Sequence, residues 1–313
     1  MGDTAMSDLP TTTLGRTGAM VTKLGYGAME LRGPGGTFGR GRQLDDDEIN
    51  RLLNGVLDAD INIIDTSPDY GDSEEHIGRC ISGRRDEYFL ASKCGCPVGQ
   101  PAATGPGPRE HIFTRDNIRA GVEQSLRRMR TDHLDLVQFH ASPARTTLED
   151  NDSVAELQAL RDEGKVRFLG MSGTLPNLTD HIAMGVFDAF QIPYSAVERE
   201  HEDAITAAAD AGAGTIIRGG VARGLPEPPS GAPEQWRSMF QVRLDRFEQA
   251  SAADLMEGMS PMEFMLRFTI THPDLHTTIV GTANAEHLAA NVAAASKGPL
   301  PADVYDAARA RFS

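Results

Sequence analysis

Short apolar runs alternate with longer amphipathic stretches along almost the whole chain, and turn residues separate them. The runs at 24–28, 62–65, 88–92, Leu134–Phe139, 166–171, 189–192, 214–217 and Thr277–Val280 are apolar or β-branched at most positions. Strands covered on both faces, as in a parallel sheet, carry this signature. The stretches 45–59, 74–82, Arg115–Met129, 153–163, 175–184, 202–211, 261–272 and 285–295 repeat apolar residues at helical spacing, and 302–312 closes the chain. Their ends carry matching signals: acidic residues open 45–59, Gly212 follows 202–211, and Ser260-Pro261 begins 261–272. Eight strand-then-helix units predict an α/β fold, a parallel sheet closed into a (β/α)8 TIM barrel. The alternation never pauses, so residues 1–313 read as a single domain.

Two features lie outside the repeat. Residues 11–21 place Gly15-Arg16-Thr17-Gly18 between short alternating segments, which predicts a β-hairpin. A hairpin cannot join a closed barrel as a ninth strand, so it is expected to plug the bottom. The stretches 32–42, 94–111 and 219–233 are long and rich in Gly or Pro. Each follows a strand, which puts all three at the C-terminal rim, where barrels build their active sites.

Charge and composition narrow the function classes. The 313 residues carry a net charge of −15, and 40% are hydrophobic. That core content suits one large barrel, and the negative charge excludes a partner that must cover phosphates, whether nucleic acid or an anionic membrane surface. The opening MGDTAMSDLPTTT has no basic n-region and no apolar core, and no apolar run reaches membrane length. There are three cysteines, Cys80, Cys94 and Cys96. An odd, small number in a long chain fits a reducing cytosol, so the expectation is a cytoplasmic protein. Cys94 and Cys96 have no second cysteine pair and no histidine close by in sequence, so they read as free thiols in a loop and no metal site is expected.

Polar side chains at strand ends suggest the chemistry. Asp65 ends its run in INIIDTSPDYG, and Tyr70 lies in the loop that follows. Lys93 ends FLASK, and His140 ends LDLVQFH. A tyrosine alone has a pKa of ~10, too high for easy proton donation at neutral pH. An ammonium nearby favours the phenolate, and a carboxylate holds the lysine charged and in place. A histidine can donate a hydrogen bond to a carbonyl oxygen and orient it. The set contains no nucleophile, so hydride must come from a cofactor.

These residues and their surroundings resemble the aldo-keto reductase superfamily, from the hairpin to about Val292. The matching pieces are LGYGAM, DTSPDYGDSEEHIG, LASK, SLRRMRTDHLDLVQFH, LRDEGKVRFLGMS, Gln191 and IVGTANAEHLAANV, in that order. The resemblance implies that Tyr70 is the general acid in reduction, that Lys93 depresses its pKa, that Asp65 pairs with Lys93, and that His140 orients the substrate carbonyl. Ser172 and Gln191 match positions that hold the nicotinamide carboxamide. Gly219, Gly220, Val221 and Arg223 match the loop along the pyrophosphate. Gly281, Thr282, His287 and Asn291 match positions around the adenosine phosphate and adenine. The implied cofactor is NADPH, with NADH possible, and the implied partner is a small carbonyl or alcohol. The insertion 94–111 resembles branches that handle sugars or small polar carbonyls.

The chain departs from the family at three cofactor positions. Gly173 stands where Asn usually follows the serine, Arg218 where many members stack an aromatic on the nicotinamide, and His287 where many place an arginine for the 2′-phosphate. GYGAME lacks the third glycine of a dinucleotide fingerprint, and GxxxxGK[ST], GxSxG and HExxH are all absent. A metal-dependent barrel hydrolase needs ligands at several strand ends, and only Asp65 and His140 qualify. A cofactor-sensing subunit with little turnover is the alternative within the fold. Substrate-dependent oxidation of a reduced nicotinamide separates it from an enzyme.

Overall fold

The protein is described from a computed structural model covering residues 9–33, 44–99, 110–221 and 234–312. Strands β1 (Thr11–Thr13) and β2 (Met20–Thr22) pair antiparallel with Thr12 opposite Val21. They form the expected hairpin, with a 3-10 turn at Gly15–Thr17. Eight further strands follow: β3 (Leu24–Gly27), β4 (Ile63–Asp65), β5 (Phe89–Cys94), β6 (Leu134–Phe139), β7 (Val166–Ser172), β8 (Ala189–Pro193), β9 (Gly214–Arg218) and β10 (Thr277–Val280). They close in the order β10-β3-β4-β5-β6-β7-β8-β9, every neighbouring pair parallel. This is the predicted TIM barrel.

The helices wrap the outside. They are α1 (Asp46–Asp58), α2 (Ser73–Cys80), α3 (Arg115–Met129), α4 (Arg145–Asp150), α5 (Ser153–Asp162), α6 (Asn177–Met184), α7 (Glu202–Asp210), α8 (Glu234–Gln249), α9 (Ala253–Met256), α10 (Pro261–Thr271), α11 (Ala285–Ser296) and α12 (Ala302–Arg311). Several starts are set by local chemistry. Asp45 and Glu48 form a reciprocal capping box on α1, Ser260 caps α10 ahead of Pro261, and Asn284 caps α11. The pattern did not predict α4, α8 or α9. With six residues, α4 buries only Leu148, too little for a periodic signal.

Alternation along each strand sorts the barrel interior into layers. Inward residues near the bottom are Ile63, Phe89, Ala91, Leu136, Ala189 and Ile216, and they enclose Leu14 and Val21 of the hairpin. The hairpin therefore plugs the bottom as expected. Gly15 fits there because its φ is +47° and an added Cβ would lie 2.3 Å from the Gly214 nitrogen. Arg16 reaches the carbonyl oxygens of Ala211 and Gly212 from the outside. Two residues further along the same inward faces, the side chains change from apolar to polar: Asp65, Lys93, Gln138, Gln191 and Arg218. On five strands a period of two thus sets a polar residue above an apolar anchor.

Candidate active site

The centre of the upper layer is a buried ion pair. Lys93 Nζ donates to both carboxylate oxygens of Asp65, at 2.7 and 2.6 Å, and to the Thr66 carbonyl at 3.0 Å. Both side chains are almost fully shielded from solvent. Removing two charges from water costs several kcal/mol per ion unless good geometry and further hydrogen bonds compensate. Here Gln138 Nε2 and Gln191 Nε2 each donate to Asp65 Oδ2 at 2.9 Å. Gly170 on β7 leaves room for Gln138, since a Cβ there would sit 2.8 Å from Gln138 Cγ. Sequence reasoning missed Gln138, although it lies two residues before His140 and so shares its face.

Tyr70 stands above this pair on the loop from β4 to α2. The loop is pinned by the Tyr70 amide donating to the Ser67 carbonyl at 2.9 Å and the Ser73 amide donating to the Tyr70 carbonyl at 3.0 Å. Lys93 Nζ lies 5.9 Å from the Tyr70 ring centre, the Arg32 guanidinium 5.3 Å, and the His140 ring 6.2 Å in an edge-on arrangement. Lys93 directs its donors to Asp65 and Thr66, so it acts on Tyr70 as a charge. Burial pushes the Tyr70 phenol above its ordinary pKa. Lys93, Arg32 and Arg218 pull it down and Asp65 pushes it further up, without reversing the net rise. The depression expected from Lys93 is one contribution among these, and desolvation outweighs it.

His140, at the end of β6, meets three residues that were not expected. Its Nδ1 lies 3.4 Å from Asp69 Oδ2, 3.2 Å from His111 Nε2 and 3.5 Å from Cys96 Sγ. His111 Nε2 also lies 3.1 Å from Asp69 Oδ2. Burial lowers the His140 pKa, only partly offset by the Asp69 hydrogen bond. Burial also pushes the Asp69 carboxyl up, but hydrogen bonds from His111 and His140 outweigh it and hold the group well below its usual range. The expectation of loop thiols is corrected on two points. Cys94 is the last residue of β5, and both Cys94 and Cys96 are buried. The fold also brings two histidines beside Cys96 that are distant in sequence. Only Asp69, one residue before Tyr70, could have been found from its neighbourhood.

The expected cofactor positions fall around the same rim. Ser172 Oγ, at the end of β7, donates to Gln191 Oε1 in the middle of the adjacent β8 at 3.3 Å. Arg218 ends β9, within electrostatic reach of Tyr70, Glu198 and Asp65, and among the described residues its buried Nε has no hydrogen-bond partner. Gly219 has φ +75° and open space where a Cβ would be, while Gly220 packs against Thr269 and Thr278, and Val221 is buried. Arg223 lies outside the described residues, as do most of 32–42 and 219–233 and the middle of 94–111. Gly281 approaches the Gly27 carbonyl too closely for a Cβ, and the Thr282 carbonyl accepts from the Tyr26 hydroxyl at 2.7 Å. His287 is exposed in the first turn of α11, and Asn291 is buried one turn on, on the same side.

Comparison with known proteins gives one family. The profile of the Aldo/keto reductase family matches residues 23–310. An uncharacterised oxidoreductase of Bacillus subtilis is 26% identical over 294 residues, 90% of each chain. L-galactose dehydrogenase of Arabidopsis thaliana is 24% identical over 305 residues, 93% of this chain and 90% of its own. A crystal structure of a putative aldo-keto reductase from Pseudomonas aeruginosa superposes with a TM-score of 0.71 at 28% identity, covering 93% of this chain and 96% of that one. Among the described residues, no helix is long and apolar enough to cross a membrane.

Proposed function

The chain belongs to the aldo/keto reductase family of oxidoreductases, and from that premise we propose that it interconverts a carbonyl compound and its alcohol, using a nicotinamide cofactor and Tyr70 as the proton donor. The observation that carries this reading is the grouping of Tyr70 with the Asp65–Lys93 pair and His140 at neighbouring strand ends. The cofactor, when bound, supplies or removes the hydride. Every other task falls to the chain. Tyr70 enters as the neutral phenol, because burial keeps its proton on, and passes that proton to the carbonyl oxygen as the alcohol forms. Lys93, Arg32 and Arg218 then stabilise the phenolate left behind. His140 orients the carbonyl oxygen at the mouth of the site.

The residues present fit a nicotinamide dinucleotide. The Nε of Arg218, without a partner among the described residues, is a donor that an acceptor near the Asp65–Lys93 pair would satisfy. Ser172 and Gln191 would hold the carboxamide, and Gly219, Gly220, Val221 and Arg223 would follow the pyrophosphate. Gly281, Thr282, His287 and Asn291 would hold the adenosine end, where the amino terminus of α11 favours an anion. NADPH is the proposed cofactor. His287 is a weaker 2′-phosphate partner than arginine, because an imidazole is mostly neutral at pH 7. The name L-galactose dehydrogenase makes aldoses the first substrate class to try. The test is a panel of aldehydes, ketones and aldoses assayed with NADH, NADPH and their oxidised forms. Turnover with at least one class, faster with the phosphorylated cofactor, is expected. Cofactor binding without turnover of any substrate would favour the cofactor-sensing alternative.

A further inference from the structure

The geometry points to a zinc site at the rim, made by Asp69, Cys96, His111 and His140. Their donor atoms all lie within 4.8 Å of one another. Zinc takes four ligands in a tetrahedron, with bonds to N, O and S that place ligand atoms about 3.3–3.6 Å apart. Four of the six ligand–ligand distances lie in or close to that range: 3.1 Å from His111 to Asp69, 3.2 Å between the histidines, 3.4 Å from His140 to Asp69, and 3.5 Å from Cys96 to His140. One thiolate, two imidazoles and one carboxylate form a donor set that suits Zn²⁺.

Hydrogen bonds among the three nearest atoms leave like partners facing one another. Asp69 Oδ2, His111 Nε2 and His140 Nδ1 are in mutual contact. With Asp69 as a carboxylate, hydrogens on both imidazole nitrogens set donor against donor. A hydrogen on only one sets the other nitrogen's lone pair against the carboxylate. A cation at the centre removes the conflict, as the Cys96 thiol gives up its proton to solvent and each imidazole presents a lone pair.

The scaffold holds these groups in place by separate contacts. Cys96 and His111 come from the two ends of one rim loop, which pair where the Ile112 amide donates to the Gly95 carbonyl at 2.7 Å. Asn117 on α3 donates to the carbonyls of Cys96 and Ile112 at 3.1 and 2.8 Å, and its Oδ1 accepts from the Val98 amide at 3.2 Å. The His111 ring stacks on Phe113. Four protein ligands leave no open position, so the ion joins the two ends of this rim loop and is not a Lewis acid. Binding through Nδ1 also leaves the hydrogen of His140 on Nε2, the form that donates to a carbonyl. This last consequence rests on the carbonyl-oxidoreductase reading, and the metal site does not.

The experiment is titration of the chelator-treated full-length protein with Co²⁺, followed by displacement with Zn²⁺. The expected result is one Co²⁺ per chain, with the intense visible absorption of a tetrahedral ion and a near-ultraviolet thiolate-to-cobalt band. Zn²⁺ should abolish both in a 1:1 ratio. Cys96→Ser should lose the thiolate band, and His111→Ala should weaken binding at least tenfold, with circular dichroism confirming that each variant is folded. Weak, pale octahedral Co²⁺ binding by the wild-type protein would overturn the proposal whether or not the variants fold. So would stoichiometric binding unchanged in folded Cys96→Ser and His111→Ala. A protein that turns over carbonyls but binds no Co²⁺ rejects the zinc site alone. One that binds Co²⁺ without any turnover rejects the enzymatic reading alone.

Discussion

Lys93 has two tasks that pull on different observables. It neutralises a carboxylate that is buried with it, and it lowers the cost of a phenolate on Tyr70. Lys93→Met should reduce turnover by about tenfold or more, since one unit of pKa is a factor of ten in equilibrium. In the oxidation direction Tyr70 must start as phenolate. Loss of the ammonium raises its pKa further, so the rising limb of the pH–rate profile should move to higher pH. Lost packing alone would lower the rate without moving that limb, and adding Asp65→Asn relieves the unpaired carboxylate as a control. Arg218 gives a second test. A guanidinium lying against the nicotinamide should favour the neutral reduced ring over the cationic oxidised one. Arg218→Ala should then weaken the reduced cofactor more than the oxidised one in calorimetric titration, and equal losses would place the arginine on the pyrophosphate instead. At this scale the sequence pointed to Asp65, Lys93 and His140 at strand ends and to Tyr70 in the loop after Asp65, each inside a matching motif. It did not reveal Cys96 and His111, because their meeting with His140 depends on how a rim loop closes, which no periodicity encodes.

Elements were legible in proportion to how regular their environment is. All eight barrel strands were anticipated because burial on both faces leaves them apolar or β-branched at most positions. The hairpin was anticipated from its turn residues. Helix α8 was missed although Phe240, Leu244 and Phe247 follow a helical spacing and pack toward the core. Its remaining positions are mostly polar, and it follows a Gly- and Pro-rich stretch that reads as loop. The hairpin is the element with the clearest energetic consequence. Leu14 is wholly buried inside the barrel floor among Ile63, Phe89, Leu136 and Ile216. Truncation to alanine leaves a cavity that a closed barrel cannot easily collapse. Leu14→Ala should cost about 2–5 kcal/mol in unfolding free energy, read as a lower midpoint in urea. An unchanged midpoint would mean that the hairpin rests on the barrel without supporting it.

Across the whole molecule, an apolar floor and a polar ceiling arise from the same strands two residues apart, and the chemistry sits where the polar ends converge. In a chain of net charge −15, the site gathers Lys93, Arg32 and Arg218 around one phenol. The concentration of positive charge there suits an anionic dinucleotide as well as a developing phenolate. The central claim is that this site transfers a proton through Tyr70 while hydride moves to or from a nicotinamide. The most direct measurement compares wild-type protein with Tyr70→Phe in the oxidation of NADPH driven by the best carbonyl substrate of the panel, with the affinity for NADPH measured in parallel. The account predicts turnover reduced by ~10²–10⁴-fold, the usual contribution of a general acid, with the dissociation constant for NADPH little changed. Near-normal turnover in Tyr70→Phe would contradict it.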